Sequence, residues 1–196
     1  MMTFNRTITK ILEEANDILG CEILSELSQI NSRPLKVRLI HELVSLKKNN
    51  ANIHVEYIES KNLYSHSNST IKFHFIMNVS IMLVDDNNLY KFEISSDYPF
   101  RSPKKFTINH IPYIEYLKIN SSKTMKELQL YKGVGCFCCN SVSCASKWTI
   151  STNVSKCIDE FKIFMQYRRD IISRLLVEKI KKRYLLEDIN LLQWLQ

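Results

Sequence analysis

Seven alternate positions between residues 71 and 83 are all apolar: Ile71, Phe73, Phe75, Met77, Val79, Ile81 and Leu83. Only an extended chain, whose side chains repeat every two residues, puts such a series on one face, so the stretch predicts a long, half-buried strand. The same period governs its neighbours. Ile53, Val55 and Tyr57 begin a strand, Tyr90, Phe92 and Ile94 alternate with Lys91 and Glu93, and residues 105–109 carry Phe106 and Ile108. The polar segment SKNLYSHSNS reads as the first connection, and Asp85-Asp86-Asn87-Asn88 as a turn. Short turns between successive strands imply antiparallel pairing, hence a four-stranded meander.

Helical spacing brackets this region. Phe4, Ile8, Ile11, Leu12, Ala15, Ile18 and Leu19 recur at three- and four-residue intervals, and Gly20 stops that helix before a second helical stretch through Ile30. Pro34 suits a first helical turn, capped by Ser32 or Arg33, with Leu35, Leu39, Ile40, Leu43, Val44 and Leu46 as the buried stripe and Asn49-Asn50 as the end. Residues 110–135 read as irregular. A long helix then runs from about Asn153 to Tyr184, capped by Ser151 or Thr152. Its first stripe is Val154, Cys157, Ile158, Phe161, Phe164 and Met165, and its second Ile172, Leu175, Leu176 and Ile180. Residues 187–196 form a short apolar element. The fold class is therefore α+β, with a helical N-terminal extension over 1–31, a mixed domain over 32–166 and a helical C-terminal extension over 167–196.

With 45% hydrophobic residues over 196 positions, the chain has enough apolar surface for a core. No run of about 18 apolar residues occurs, so no membrane span is expected. Glu13, Glu14 and Asp17 argue against a signal peptide or a mitochondrial presequence. The net charge is +7, but the basic residues from Arg168 to Arg183 are interleaved with Asp170 and Glu178. They read as a solvated helix face, and nucleic acid is not an expected partner.

Two segments stand out chemically. In SSDYPFRSPKK, Pro99 and Pro103 forbid a paired central strand, and Tyr98 and Phe100 are expected to anchor the loop to the core. The second segment, CFCCNSVSCASKW, packs four of the six cysteines, Cys136, Cys138, Cys139 and Cys144, into nine positions. Adjacent Cys138 and Cys139 suit no simple disulfide framework, so reduced thiols in the cytoplasm or nucleus are expected. The remaining Cys21 and Cys157 read as small buried hydrophobes.

The order of helix, meander, Tyr98-Pro99-Phe100-x-x-Pro103, a long crossing, cysteine, Trp148 and helix resembles the ubiquitin-conjugating enzyme family, which shows a Tyr-Pro-Phe with a later proline, then a Cys, a Trp and a helix. The carrying segments are RPLKVRLIHELVSLKKNN, YKFEISSDYPFRSPKKFTI and CCNSVSCASKWTISTNVSKCIDEF, and they span roughly residues 34 to 165. The chain is most similar to divergent members such as those of large DNA viruses. It departs from the pattern at three places. Cys139 lies nine positions before Trp148, one more than usual; the family's His-Pro-Asn is absent; and Thr149-Ile150 replaces Ser-Pro or Thr-Pro. For the missing asparagine, Asn140 or Asn120 could substitute, while His110-Ile111-Pro112 is a poor match.

The resemblance implies a transferase that carries ubiquitin or a related modifier as a cysteine thioester and passes it to lysine, without a cofactor. Cys139 is the expected acceptor, Cys138 the next candidate, and Asn140 the amide donor. Arg38, Phe100 and Arg101 lie in segments that meet the activating enzyme and a ligase, while Tyr98, Pro99, Pro103 and Trp148 shape the core and the cysteine loop. Two alternatives remain open from the residues. One is a non-catalytic binding module on the same fold, favoured by the missing His-Pro-Asn. The other is a zinc-stabilised protein using Cys136, Cys138, Cys139 and Cys144, although the C-x-C-C-x4-C spacing lacks paired C-x2-C knuckles.

Overall fold

A computed structural model describes residues 2–48, 52–64, 72–85, 88–118 and 122–184. The chain is α+β. Two helices, α1 (Met2–Ser28) and α2 (Arg33–Lys48), precede five strands: β1 (Asn52–Tyr64), β2 (Lys72–Asp85), β3 (Asn88–Ser95), β4 (Lys105–Ile108) and β5 (Ile111–Pro112). Helices α3 (Tyr113–Leu117), α4 (Ser122–Lys132), the single turn α5 (Phe137–Asn140) and α6 (Val154–Tyr184) follow. The chain forms two compact units, one of residues 1–113 and 148–155, the other of residues 114–147 and 156–196. Among the described residues no helix is long and apolar enough to cross a membrane.

In the first unit, the sheet is an antiparallel meander in the order β1-β2-β3-β4-β5. It has five strands where the alternation predicts four. The fifth is a two-residue strand made by a tight turn at Asn109 and His110, both at positive φ (49° and 68°). Two central residues at positive φ are what a two-residue antiparallel connection requires, and Asn tolerates that conformation. Asn109 also closes the turn on β3, its Oδ1 accepting from Leu89 N–H at 2.8 Å. Strand β1 is longer than expected as well. Ser60–Tyr64, read from its polarity as loop, pairs with Lys72–Ile76 of β2. Backbone pairing needs no apolar side chains, so the ladder runs past the end of the hydrophobic alternation.

The alternation itself sets the core. Ile81 and Leu83 of β2 and Tyr90, Phe92 and Ile94 of β3 are all at most 1% exposed. Phe92 pairs directly with Phe106 of β4, and their rings stack at 4.3 Å. Helix α2 supplies Leu35, Leu39, Ile40, Leu43 and Leu46, whereas Val44 is only half-buried. Helix α1 breaks at Gly20 (φ 81°, ψ 163°), in a region open essentially to glycine. Ala15, Leu19, Ile23 and Leu27 form one buried stripe across the break. Cys21, expected as a buried hydrophobe, is exposed because it falls off that stripe.

In the second unit, the segment read as irregular holds α3 and α4. Helix α4 leaves little apolar signal because SKTMKELQLYK is mostly polar; its Leu128 is fully buried, while Leu130 is 77% exposed. Helix α6 buries Cys157, Ile158, Phe161 and Phe164 as expected, then Ile171 and Val177. The expected second stripe is corrected: Ile172 and Leu176 are exposed, because the buried face continues from Phe164 to Ile171, two turns on, and leaves Ile172 about 100° away. The apolar element expected over 187–196, the end at Asn49-Asn50 and the alternative donor Asn120 lie outside the described residues.

Candidate functional site

In the first unit the Tyr-Pro-Phe loop is built around a buried carboxylate. Phe100 and Arg101 N–H both bond to Asp97 C=O, giving the loop a helical turn that carries Tyr98 inward. The Tyr98-Pro99 peptide bond is cis. Tyr98 is 2% exposed, and its hydroxyl donates to the Glu42 carboxylate, 2.6 Å from each oxygen. Glu42, itself buried in α2, also accepts from Val154 N–H (3.2 Å) at the start of α6 and from Arg38 one helical turn away. A carboxylate at a helix N-terminus satisfies an orphan donor and meets the positive end of the dipole. Glu42 therefore caps the first N–H of α6 from a distant helix, a contribution the local sequence does not reveal, and the Thr152 hydroxyl accepts from Thr149 N–H.

Burial and then the Glu42 charge push the Tyr98 phenol well above its ordinary range. For Arg38, burial works against the charge, but Glu42 outweighs it and the pKa rises. Arg38, expected at a partner surface, also donates to Thr152 C=O at 3.0 Å, so its guanidinium ties α2 to the segment before α6.

Trp148 joins the same cluster. Its indole Nε1 donates to Pro99 C=O at 2.8 Å, and its ring lies 5.8 Å from that of Tyr98. Both aromatic residues are buried, as expected of core anchors. Phe100 is not an anchor: it is 74% exposed, because the turn that buries Tyr98 points residue 100 outward. Arg101 is exposed beside Asp97, and Pro99 and Pro103 are half-buried.

The clustered thiols lie in the second unit. Helix α4 ends at Gly133 (φ 64°), with Gly133 N–H on Leu130 C=O and Val134 N–H on Gln129 C=O. This pair of bonds is the Schellman termination, and its left-handed residue is normally glycine. Gln129 also reaches forward, its Nε2 donating to Gly135 C=O at 2.9 Å. The chain is thereby handed to Cys136, which is extended (φ −151°, ψ 128°) and stands at the N-cap position of the turn α5 without a side-chain capping bond. Asn140 Nδ2 closes the turn on Cys136 C=O at 2.8 Å. Phe137 packs edge-on against Phe164 of α6 at 5.3 Å, and Val142 N–H donates to Glu160 of α6 at 2.6 Å. Beside this loop is a cavity of about 190 Å³, lined largely by Val134, Phe137, Ile163, Phe164 and Tyr167.

One helical turn brings residues i, i+2 and i+3 close. The sulfurs of Cys136, Cys138 and Cys139 all lie within 4.8 Å of one another. Cys136 Sγ and Cys138 Sγ are 2.6 Å apart, Cys138 Sγ and Cys139 Sγ 3.8 Å, and all are free thiols. Cys139 is exposed, the other two partly so. Hydrogen bonding with Cys138, aided by the backbone and thiol of Cys139, draws Cys136 down to about 7. Hydrogen bonding with Cys136 and then Cys139 pushes Cys138 up to about 11. Cys144 stands outside the trio. Its sulfur contacts Ser146 Oγ at 3.2 Å, and that hydroxyl and the Ser146 backbone lower its pKa.

The structure thus groups the expected site residues in two sets: Arg38, Tyr98, Pro99 and Trp148 in one unit, and Cys136, Cys138, Cys139 and Asn140 in the other. Glu42 has no part in the sequence reading. Its signal is positional, since it lies seven residues after Leu35 and three after Leu39, on the apolar stripe of α2. No protein-family model matches the chain, and neither a curated protein nor a solved structure does.

Proposed function

We propose that the chain is a thiol-dependent transferase of the ubiquitin-conjugating type, with the corresponding fold, and that Cys139 carries ubiquitin or a related modifier as a thioester. The carrying observation is the bond from Trp148 Nε1 to Pro99 C=O. It joins the two motifs of the resemblance, the Tyr-Pro-Phe loop and the tryptophan after the cysteines, across 49 residues. Helix α2 and the antiparallel meander, whose third and fourth strands flank the loop, support the same reading.

In the proposed reaction the Cys139 thiolate attacks the carbonyl carbon of the thioester on an activating enzyme. A new C–S bond forms, the old one breaks, and the leaving thiolate remains on that enzyme. A lysine amine then displaces the Cys139 thiolate, forming an amide and releasing one proton to solvent. No electron is gained or lost. Cys139 suits the first step because it is the exposed member of the trio. Asn140 keeps one N–H beyond that given to Cys136 C=O, and this second hydrogen is the donor proposed for the developing oxyanion. The partners are the modifier, its activating enzyme and a ligase, in a reducing compartment, cytoplasm or nucleus, that keeps the thiols free.

The test is incubation with activating enzyme, ATP and modifier. A higher-mass band that disappears on reduction is expected from the native chain and not from Cys139→Ala. A band that survives in Cys139→Ala and is lost in Cys136→Ala would move the acceptor to Cys136. No band with ubiquitin or any related modifier would leave the chain a binding module.

A further inference from the structure

We infer that Cys136, Cys138 and Cys139 form a three-thiolate site for a thiophilic divalent cation of the zinc type, with a fourth position open. Among the described residues this is the one group of three or more Cys, His, Asp or Glu side chains placed to share an ion. Its donor set is entirely sulfur, which selects a soft or borderline ion over magnesium or calcium.

The spacing fits. A Zn–S bond of about 2.3 Å gives a tetrahedral S···S edge of about 3.8 Å. Cys138 and Cys139 already stand at 3.8 Å. Cys136 and Cys138, at 2.6 Å, need to open by about 1.2 Å to reach the same edge. Both are surface-accessible thiols, so side-chain rotation can supply the movement. The backbone beneath is fixed by the Gln129–Gly135 and Asn140–Cys136 bonds. Cys144, the expected fourth ligand, is not in the group, so the fourth position is left to water or an exchangeable donor. That arrangement corresponds to an open site, not to a closed structural one. On binding, each S–H gives its proton to solvent as its S–metal bond forms, and no electron is transferred.

The consequence for transfer rests on the proposed function. A bound ion holds the Cys139 lone pair, so metal loading masks the acceptor and metal removal frees it.

Binding is tested on the reduced full-length chain by titration with Co²⁺ in place of Zn²⁺. One equivalent should give a thiolate-to-cobalt charge-transfer band and the visible bands of a tetrahedral ion, both bleached by Zn²⁺. Cys138→Ser and, separately, the exposed Cys139→Ser should each abolish the bands while circular dichroism stays native. Cys144→Ser should keep them. No bands at stoichiometric cobalt, or bands that need Cys144 and survive Cys138→Ser, would overturn the site. In a second arm, Zn²⁺ should suppress the thioester adduct of the native chain, and a chelator should restore it. The cobalt spectrum does not depend on transfer: bands without any adduct would contradict the proposed function alone, while an adduct without bands would contradict the metal site alone.

Discussion

The hydroxyl of Tyr98 donates to the carboxylate of Glu42, 2.6 Å from both oxygens, across 56 residues of sequence. One buried carboxylate thereby ties the Tyr-Pro-Phe loop to helix α2. Through Val154 N–H and Arg38 it also ties in the start of α6 and, indirectly, Thr152. A carboxylate taken out of water is tolerable only with such a set of donors.

Replacing Glu42 with Ala should therefore cost about 3 kcal/mol or more, because it strands the Arg38 charge and two donors at once. Glu42→Gln keeps an acceptor for Tyr98 and should cost less. Urea unfolding with an unchanged m-value measures both. Equal small losses of under about 0.5 kcal/mol would show that the cluster contributes little.

The same contact gives an alkaline limb. The folded phenol pKa of Tyr98 lies above its free value of 10.0, so the folded chain keeps a proton that the unfolded chain loses. Stability from this group is fully present below about pH 10 and falls as pH rises above it. Tyr98→Phe should flatten the decline relative to the native chain between about pH 10 and 11. Parallel slopes in that window would contradict the assignment.

Trp148→Phe keeps a ring in place but removes the Nε1 donor to Pro99 C=O. The expected loss is about 1–2 kcal/mol, read by circular dichroism in denaturant. A neutral result would mean that the link between the loop and the tryptophan is not energetically significant.

Most of the sheet is legible in the sequence because burial on one face imposes a two-residue period, and Tyr90, Phe92 and Ile94 follow it strictly. The end of β1 is not, because Ser60–Tyr64 pairs through the backbone but opens with three polar residues and shows no apolar alternation. Helix α4 is hidden for a related reason: Leu128 is buried but the neighbouring Leu130 is exposed. At the site, the four-cysteine segment is visible at once, yet its division into a trio and a separate Cys144 follows from one turn of backbone that spacing alone does not fix. Phe100 shows the reverse error, an aromatic residue assigned to the core by type and turned outward by the loop.

That exposure has a consequence of its own. Phe100→Ala should change stability by less than about 0.5 kcal/mol, since little area is buried there. If the loop meets a ligase or activating enzyme, the same substitution should slow ligase-stimulated discharge several-fold. A stability loss above about 2 kcal/mol would return Phe100 to the core.

Gly133→Ala tests how the thiol loop is held. At φ 64° an alanine is strained by about 1–2 kcal/mol, although no atom lies within 4 Å of the added methyl. The α4 terminus should loosen, with faster hydrogen exchange at Val134 N–H and weaker Co²⁺ binding by the trio. Unchanged exchange would place the origin of the loop geometry elsewhere.

The most direct measurement is intact-mass spectrometry of the reduced, metal-free chain after reaction with activating enzyme, ATP and modifier. A single added modifier, removed by thiol reductant and mapped by proteolysis to Cys139, is the expected result. A chain whose mass is unchanged, or a modifier attached through lysine alone, would contradict the thioester.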